Sequence, residues 1–256
     1  MTHPLVVGFR DHFAKFIVHI GASWNDTGEP RTMQATGFIA AAGEDDKGNS
    51  YCAVVTARHV VVDRPAREVR WKLTRHAEPG QPNATYEFTL PGLIEPVAAG
   101  LGFIRTNEPE YDAAAIMLPL ESGVMPPFFD PENEGSPTII EPSAVLLAGG
   151  EVAWAGYPAV ITQVLKRPQL CLYRGMVSAT VLDEPPGMYC VDGHIARGVS
   201  GAPVWNSDES GHRIIGVVSG YWPGGEMPGL CHFAPVNLLI NELASERRTD
   251  GVSAQQ

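Results

Sequence analysis

The chain is poor in charged residues and lacks any apolar run long enough to cross a membrane. Only 18% of its 256 residues are charged, and 29 acidic side chains against 18 basic ones give a net charge of −11. A surface of that sign repels phosphate backbones, and no cluster of Lys or Arg makes a local exception. No stretch reaches the roughly 20 apolar residues of a transmembrane helix. We therefore expect neither a nucleic-acid nor a membrane partner.

Secretory and metal-binding patterns are also missing. The N-terminal segment mixes charged residues into its short apolar run and has no small-residue cleavage site, so we predict a cytoplasmic protein without a signal peptide. Four cysteines, Cys52, Cys171, Cys190 and Cys231, are scattered without a CxxC pair. We interpret them as reduced thiols. Because metal ligands usually occur in close local pairs, we expect no metal site, and we expect no cofactor.

What the chain does contain is turn residues between short alternating segments. Gly (27) and Pro (22) together make about a fifth of the sequence, which favours an all-β fold over a helical bundle. The clearest strand patterns run over Val69–Leu73, Tyr86–Leu90, Ala113–Leu118, Glu151–Ala155, Leu170–Tyr173, Met176–Ser178, Ile214–Ser219 and Cys231–Ala234. An earlier pattern, starting at Ala14 and continuing through Ile20, predicts one more strand near the N-terminus.

The distribution of these patterns predicts two β lobes. Residues 1–120 form the first lobe, and prolines among acidic and small residues make 121–147 a linker. Residues 148–235 form the second lobe. A helix over 236–247 follows, because Val236, Leu239, Ile240 and Leu243 lie on one helical face, and 248–256 is a tail.

Three local motifs stand in the order His, Asp, Ser. His59 lies in V-T-A-R-H-V-V after an apolar strand, and Asp112 opens the strand pattern D-A-A-A-I-M-L. Ser200 lies in R-G-V-S-G-A-P-V, which is followed by I-I-G-V-V-S. A lone His, Asp or G-x-S-G has an ordinary structural explanation in most proteins. The order, the spacing and the strand context together favour a catalytic one. Asp63 and Asp130 are weaker substitutes for Asp112, because they lack its strand context.

These segments resemble the trypsin/chymotrypsin-like serine protease superfamily. They resemble more closely its bacterial branch, which includes HtrA-like and glutamyl-endopeptidase-like enzymes. Further segments extend the resemblance over most of the chain, namely T-G-F at 36–38, A-G-Y-P at 155–158, R-G-M-V-S-A at 174–179 and F-A-P at 233–235. The resemblance implies two antiparallel Greek-key β-barrels and a serine endopeptidase, with His59, Asp112 and Ser200 as catalytic triad.

The chemistry explains why these residue types are needed. A serine hydroxyl is a poor nucleophile unless a base takes its proton, which His59 can do near neutral pH. Asp112 would orient the imidazole and stabilise its charged form. Gly198 and Ser200 imply an oxyanion hole, because Gly198 lets the loop turn so that both backbone N–H groups face the developing charge.

The resemblance also assigns a substrate pocket and a partner. The matching pocket positions are His194, Ile195, Ala196, Arg197, Ser219, Gly220 and Tyr221. The pocket-base position, an acid in relatives that cleave after Arg or Lys, is His194, so small or apolar P1 residues are expected. An acidic P1 is the alternative if His194 or His232 points inward and is protonated. The partner is a peptide or protein substrate, and a regulatory protein partner would restrain an intracellular protease.

Two other functions deserve comparison. A catalytically silent family member could bind peptides in the same cleft, although an intact His, Asp and Ser set with Gly198 argues against it. A serine hydrolase on an α/β sheet would present its residues in the order Ser, Asp, His, so the order in this chain excludes that fold.

Overall fold

A computed structural model shows a protein built almost entirely of antiparallel strands. It describes residues 3–44, 50–61, 68–75, 83–91, 102–105, 112–119, 139, 146–181, 188–221, 229–237 and 239. The predicted all-β class is confirmed. Most of the predicted linker, most of the predicted C-terminal helix and the whole predicted tail lie outside the described residues.

The first sheet has seven strands in the order β5-β4-β1-β2-β3-β7-β6. They are β1 (Ile17–Asp26), β2 (Glu29–Glu44), β3 (Ser50–Thr56), β4 (Glu68–Arg75), β5 (Ala84–Pro91), β6 (Gly102–Arg105) and β7 (Ala114–Pro119). Burial alternates along β4, where Val69, Trp71 and Leu73 point inward, as expected for a strand with one solvated face. A tight turn joins β1 to β2, with positive φ at Thr27 and Gly28, which suits the right-handed twist of a hairpin.

The second sheet closes into a barrel in the order β10-β13-β12-β11-β8-β9. Its strands are β8 (Glu151–Gly156), β9 (Cys171–Val181), β10 (Met188–Asp192), β11 (Pro203–Asp208), β12 (Gly211–Tyr221) and β13 (Leu230–Pro235). Two patterns predicted as separate strands, Leu170–Tyr173 and Met176–Ser178, are one continuous β9. The strand continues through position 175 because glycine has no side chain there. Any other residue would place a Cβ 2.2 Å from the Asp192 carbonyl oxygen of the neighbouring strand, which is too close.

Short helices occur where the strand patterns stop. They are α1 (Pro4–Gly8), α2 (Arg58–Val61) and α3 (Ala159–Leu165). The predicted strand start at Ala14 is wrong. Phe9–Phe13 forms a π-helical turn and Ala14–Phe16 a 3-10 turn, so β1 begins at Ile17. The cause is tertiary, since the Phe9 and Phe13 rings pack against Trp205 of the second lobe. None of the helices in the described ranges is long and apolar enough to span a membrane.

Three apolar clusters hold this architecture. One fills the first sheet around Val18, Ile39 and Trp71, and another fills the second barrel around Trp154 and Phe233. The third joins the lobes, with Ile17, Phe38 and Val55 from the first sheet and Tyr157, Trp205 and Val217 from the second. The candidate site lies beside this shared core, so packing between the lobes sets its geometry.

Candidate active site

His59 and Asp112 are held together by two paired strands. Strand β3 ends at Thr56, which lies opposite Ala114 at the start of β7. His59 follows the end of β3 in α2, and Asp112 precedes the start of β7. The His59 Nδ1 atom lies 2.8 Å from Asp112 Oδ2, and the His59 backbone N–H donates to Asp112 Oδ1 at 2.9 Å. The carboxylate therefore contacts both the ring and the backbone of the same histidine.

The second lobe completes the surroundings of Asp112. The Ser219 hydroxyl, on β12, donates to Asp112 Oδ2. Burial opposes ionisation of Asp112, yet the hydrogen bonds from His59 and Ser219, with the charge of His59, hold the pKa of this carboxyl below its usual value. The Asp112 side chain is 23% exposed and the His59 side chain 51%. A carboxylate at Nδ1 favours the tautomer with its proton there, which makes Nε2 the basic nitrogen of the neutral ring.

Ser200 lies in a tight turn between β10 and β11. Gly198 and Gly201 flank it with φ of +93° and +82°, a region that side chains other than glycine rarely adopt. Inside the turn, the Val199 N–H donates to the Ala196 carbonyl and the Ala202 N–H donates to the Val199 carbonyl. The Gly201 N–H donates to Val218 of β12 at 2.7 Å. The turn is thus tied to its own barrel on both sides of the serine.

The same turn is also tied to the first lobe. The Ser200 carbonyl accepts a hydrogen bond from the Thr36 N–H at 2.9 Å. A Cβ on Gly201 would lie 2.0 Å from Thr56 Oγ1 and 2.8 Å from the Ala57 nitrogen. Thr56 and Ala57 lead directly into the helix that carries His59. The structure therefore packs the Ser200 turn against the segment that precedes His59.

Two peptide planes of the turn have fixed directions. The Arg197 carbonyl accepts from the N–H of Ala159, the first residue of α3, at 2.7 Å. The Val199 carbonyl accepts from Ala202 at 2.9 Å. In a trans peptide the N–H points away from the carbonyl of the same plane. The N–H groups of Gly198 and Ser200, the predicted oxyanion-hole donors, thus each belong to a plane whose carbonyl is already held by the protein.

The predicted pocket residues lie in two segments of the second barrel, the loop over 194–197 and the end of β12. The Gly193 N–H, just before His194, donates to the Gly229 carbonyl at 2.7 Å, which ties the start of the 194–197 segment to the residue that precedes β13. His194 is exposed, and its Cε1 lies 3.9 Å from where a Cβ on Gly229 would be. Arg197 is also exposed, whereas Ile195 and Ala196 are half-buried and pack against the core of the barrel.

The remaining pocket positions divide between two sides of β12. The hydroxyl of Ser219 turns toward Asp112, and Gly220 faces His232, with 3.4 Å between the site of its absent Cβ and His232 Cε1. Burial lowers the pKa of His232, with the charge of Asp112 acting in the opposite direction. The side chain of Tyr221 lies outside the described residues.

Residues 35–217, well over half of the chain, match the family model of the trypsin-like peptidase domain. The chain belongs to the trypsin-like peptidase family. Among 446 matching chains of solved structures is a Glu endopeptidase in complex with MPD, at 15% identity, a TM-score of 0.53 and 90% coverage of both chains. That likeness supports a chymotrypsin-like fold. The search of curated proteins finds no match.

Three contacts of this trypsin-like peptidase were not predicted from the sequence. The Ser219 hydroxyl was assigned to the pocket wall, and its hydrogen bond to Asp112 was missed. The T-G-F segment at 36–38 predicts no contact between Thr36 and Gly198, and no motif of the sequence points to the contact of Ala159 with Arg197. The T-G-F and A-G-Y-P segments lie in or next to these neighbourhoods, but no local pattern reports a hydrogen bond between residues that are distant in the sequence.

A surface cavity of about 630 Å³ lies elsewhere on this peptidase. It opens near the tip of the β1–β2 hairpin and is lined by Trp24, Arg31, Glu68 and Arg70, among others. None of the predicted site residues lines it, and nothing in its lining resembles the His59 and Ser200 surroundings. The cavity is therefore separate from the predicted site residues.

Proposed function

We propose that the protein is a serine endopeptidase with His59, Asp112 and Ser200 as its triad. The observation that carries the proposal is the His59–Asp112 pair, bonded at 2.8 Å through Nδ1, beside a Ser200 turn anchored to the same lobe through Thr36. A carboxylate on Nδ1 leaves Nε2 as the base, which is the requirement for activating a serine. Membership of the trypsin-like peptidase family gives independent support.

The reaction follows from these groups. Ser200 Oγ attacks the scissile carbonyl carbon while His59 Nε2 takes the hydroxyl proton. The carbonyl oxygen becomes an oxyanion that accepts hydrogen bonds from the N–H groups of Gly198 and Ser200. The C–N bond then breaks, His59 protonates the leaving amine, and an acyl-enzyme remains. Water attacks the ester with His59 again as base, and the proton returns to Ser200 as the acid product leaves. Asp112 stabilises the imidazolium formed in each half.

The proposal is tested by labelling with an active-site-directed fluorophosphonate and by peptidase assays. The wild-type protein should be labelled, and Ser200→Ala and His59→Ala should lower kcat by about 10⁴- to 10⁶-fold. Ser178→Ala, an exposed serine on β9, is the matched control and should be labelled like the wild type. A folded wild-type protein that neither reacts with the probe nor cleaves peptides, yet binds them, would instead identify a silent peptide-binding member.

Specificity is part of the same proposal. The pocket positions from His194 to Arg197 and from Ser219 to Tyr221 contain no acid, so a buried Lys or Arg at P1 would lack a paired charge, which is costly. We propose small or apolar P1 residues, with an acidic P1 as the alternative that a protonated His194 or His232 would permit. Burial of His232 lowers its pKa and opposes its protonated form, so His194 is the first residue to test. The cytoplasmic location, the likeness to the bacterial branch and a regulatory partner stay predictions.

A further inference from the structure

Every polar group of Thr36 is hydrogen-bonded, and its N–H and hydroxyl reach the second lobe. Its side chain is fully buried. The Thr36 N–H donates to the Ser200 carbonyl at 2.9 Å, and its own carbonyl accepts from Thr56 Oγ1 at 2.7 Å. Its hydroxyl accepts from the Tyr157 N–H at 2.9 Å and donates to the Gly198 carbonyl at 2.7 Å. One residue of β2 thus bonds both residues that carry the proposed oxyanion donors.

The Thr36 hydroxyl bonds two buried backbone groups of the second lobe at once. A hydroxyl donates and accepts at once, so the Tyr157 N–H and the Gly198 carbonyl are both satisfied by Oγ1. The space around it is closed, since a Cβ on Gly156 would lie 2.8 Å from Thr36 Oγ1. Without the hydroxyl, a buried donor and a buried acceptor would lose their partner, and the chain would shift to recover other bonds.

The bond to Gly198 acts on the geometry of the turn. Because the peptide unit is planar, holding the Gly198 carbonyl sets the plane that joins Gly198 to Val199. The preceding plane is held by Ala159 at the Arg197 carbonyl, and the next by Ala202 at the Val199 carbonyl. The Thr36 hydroxyl is therefore the middle of three restraints on consecutive planes, and the only one of these three that comes from the first lobe.

We propose that Thr36 is a positioning residue that holds the Gly198–Ser200 turn in the conformation able to bind an oxyanion. It does so through its hydroxyl and couples the turn to the lobe that carries His59. This inference rests on the proposed peptidase function. It extends that function, because it assigns part of the alignment of the turn to a side chain on the opposite lobe, in addition to the turn's own sequence.

The test compares Thr36→Val, which keeps the shape and removes the hydroxyl, with Thr36→Ser, which keeps the hydroxyl. A displacement of about 1 Å in a catalytic group can cost about 10²-fold in rate, so we expect Thr36→Val to lose about that much in kcat with little change in KM. Thr36→Ser should retain most of the activity. Thr74→Val, another buried threonine of the first sheet, controls for the general effect of the same substitution.

A second measurement separates alignment from stability. Binding of a peptide boronate, which forms a tetrahedral adduct, should weaken in Thr36→Val far more than binding of a non-cleavable substrate peptide does. If Thr36→Val does not fold, Gly156→Ala supplies the perturbation, because its Cβ would press on the Thr36 hydroxyl.

Each outcome decides between the claims. Equal kcat in wild type and Thr36→Val, or equal losses in Thr36→Val and Thr36→Ser, would overturn the positioning role while leaving the peptidase intact. Absence of activity and labelling in the wild type would instead overturn the proposed function itself.

Discussion

Replacing Gly201 by Ala tests how tightly the Ser200 turn packs against the other lobe. The new Cβ would lie 2.0 Å from Thr56 Oγ1, 2.3 Å from the Thr36 carbonyl oxygen and 2.8 Å from the Ala57 nitrogen. The last two are backbone atoms, which cannot rotate away. Ordinary contact needs well over 3 Å, so the lobes or the turn must separate by on the order of 1 Å. The glycine also has φ of +82°, which an alanine adopts only with strain.

Both effects can be given magnitudes. The left-handed backbone costs an alanine about 1–2 kcal/mol. Forcing an extra methyl into a filled site typically adds about 1–3 kcal/mol. The free energy of unfolding should therefore fall by about 2–5 kcal/mol in Gly201→Ala. At about 2–4 °C per kcal/mol for a chain of this size, Tm should fall by on the order of 10 °C. Because Ser200 is the adjacent residue, kcat should fall by about 10²-fold as well.

Gly149→Ala is the matched control. Gly149 has φ of +89°, and a Cβ there would have no heavy atom within 4 Å. It therefore carries the backbone strain of about 1–2 kcal/mol without the clash, and peptidase activity should be unchanged. Thermal unfolding and kcat are measured for both variants. If Gly201→Ala is no less stable than Gly149→Ala and equally active, the close packing of the turn on Thr56 and Ala57 is refuted.

Two further predictions concern acid and specificity. Because the pKa of Asp112 is lowered in the folded state, its contribution to stability is present above the unfolded-state value of about 4 and is lost as pH falls below it. The difference in the free energy of unfolding between wild type and Asp112→Asn, measured by urea unfolding, should therefore shrink from pH 7 to pH 3. A difference that stays constant with pH would contradict the assigned hydrogen bonds. A fluorogenic panel varied at P1 should favour small or apolar residues. A preference for Arg or Lys would sink that assignment, and loss of acidic-P1 cleavage in His194→Ala alone would identify His194 as the residue that reads an acidic side chain.

The sequence was most informative where a segment's structure depends on its own pattern. Strands β4 and β5 fall where alternation predicts them, because a half-buried strand needs an apolar residue at every second position, and β7 and β13 fall on the short apolar segments that also predict strands. The sequence patterns predicted the wrong structure at the N-terminus and did not predict helix α3. Ala14–Phe16 reads as the start of a strand, but packing of the neighbouring Phe13 on Trp205 decides its conformation. Helix α3 has no buried residue, because its apolar side chains Val160, Val164 and Leu165 are exposed, so burial in the core does not explain where it forms.

By itself the sequence determined the fold class, the family resemblance and the local segments that carry His59, Asp112 and Ser200. These depend on residue type and on spacing within one strand and its turn. Only the tertiary structure decided that Ser219 bonds Asp112, that Ala159 holds the Arg197 carbonyl, and that Thr36 bonds Gly198 across the lobes. A hydrogen bond forms only at a short distance and in a narrow range of directions. Between the lobes, both depend on how the lobes pack, and that packing is set by the contacts of all the residues in the shared core.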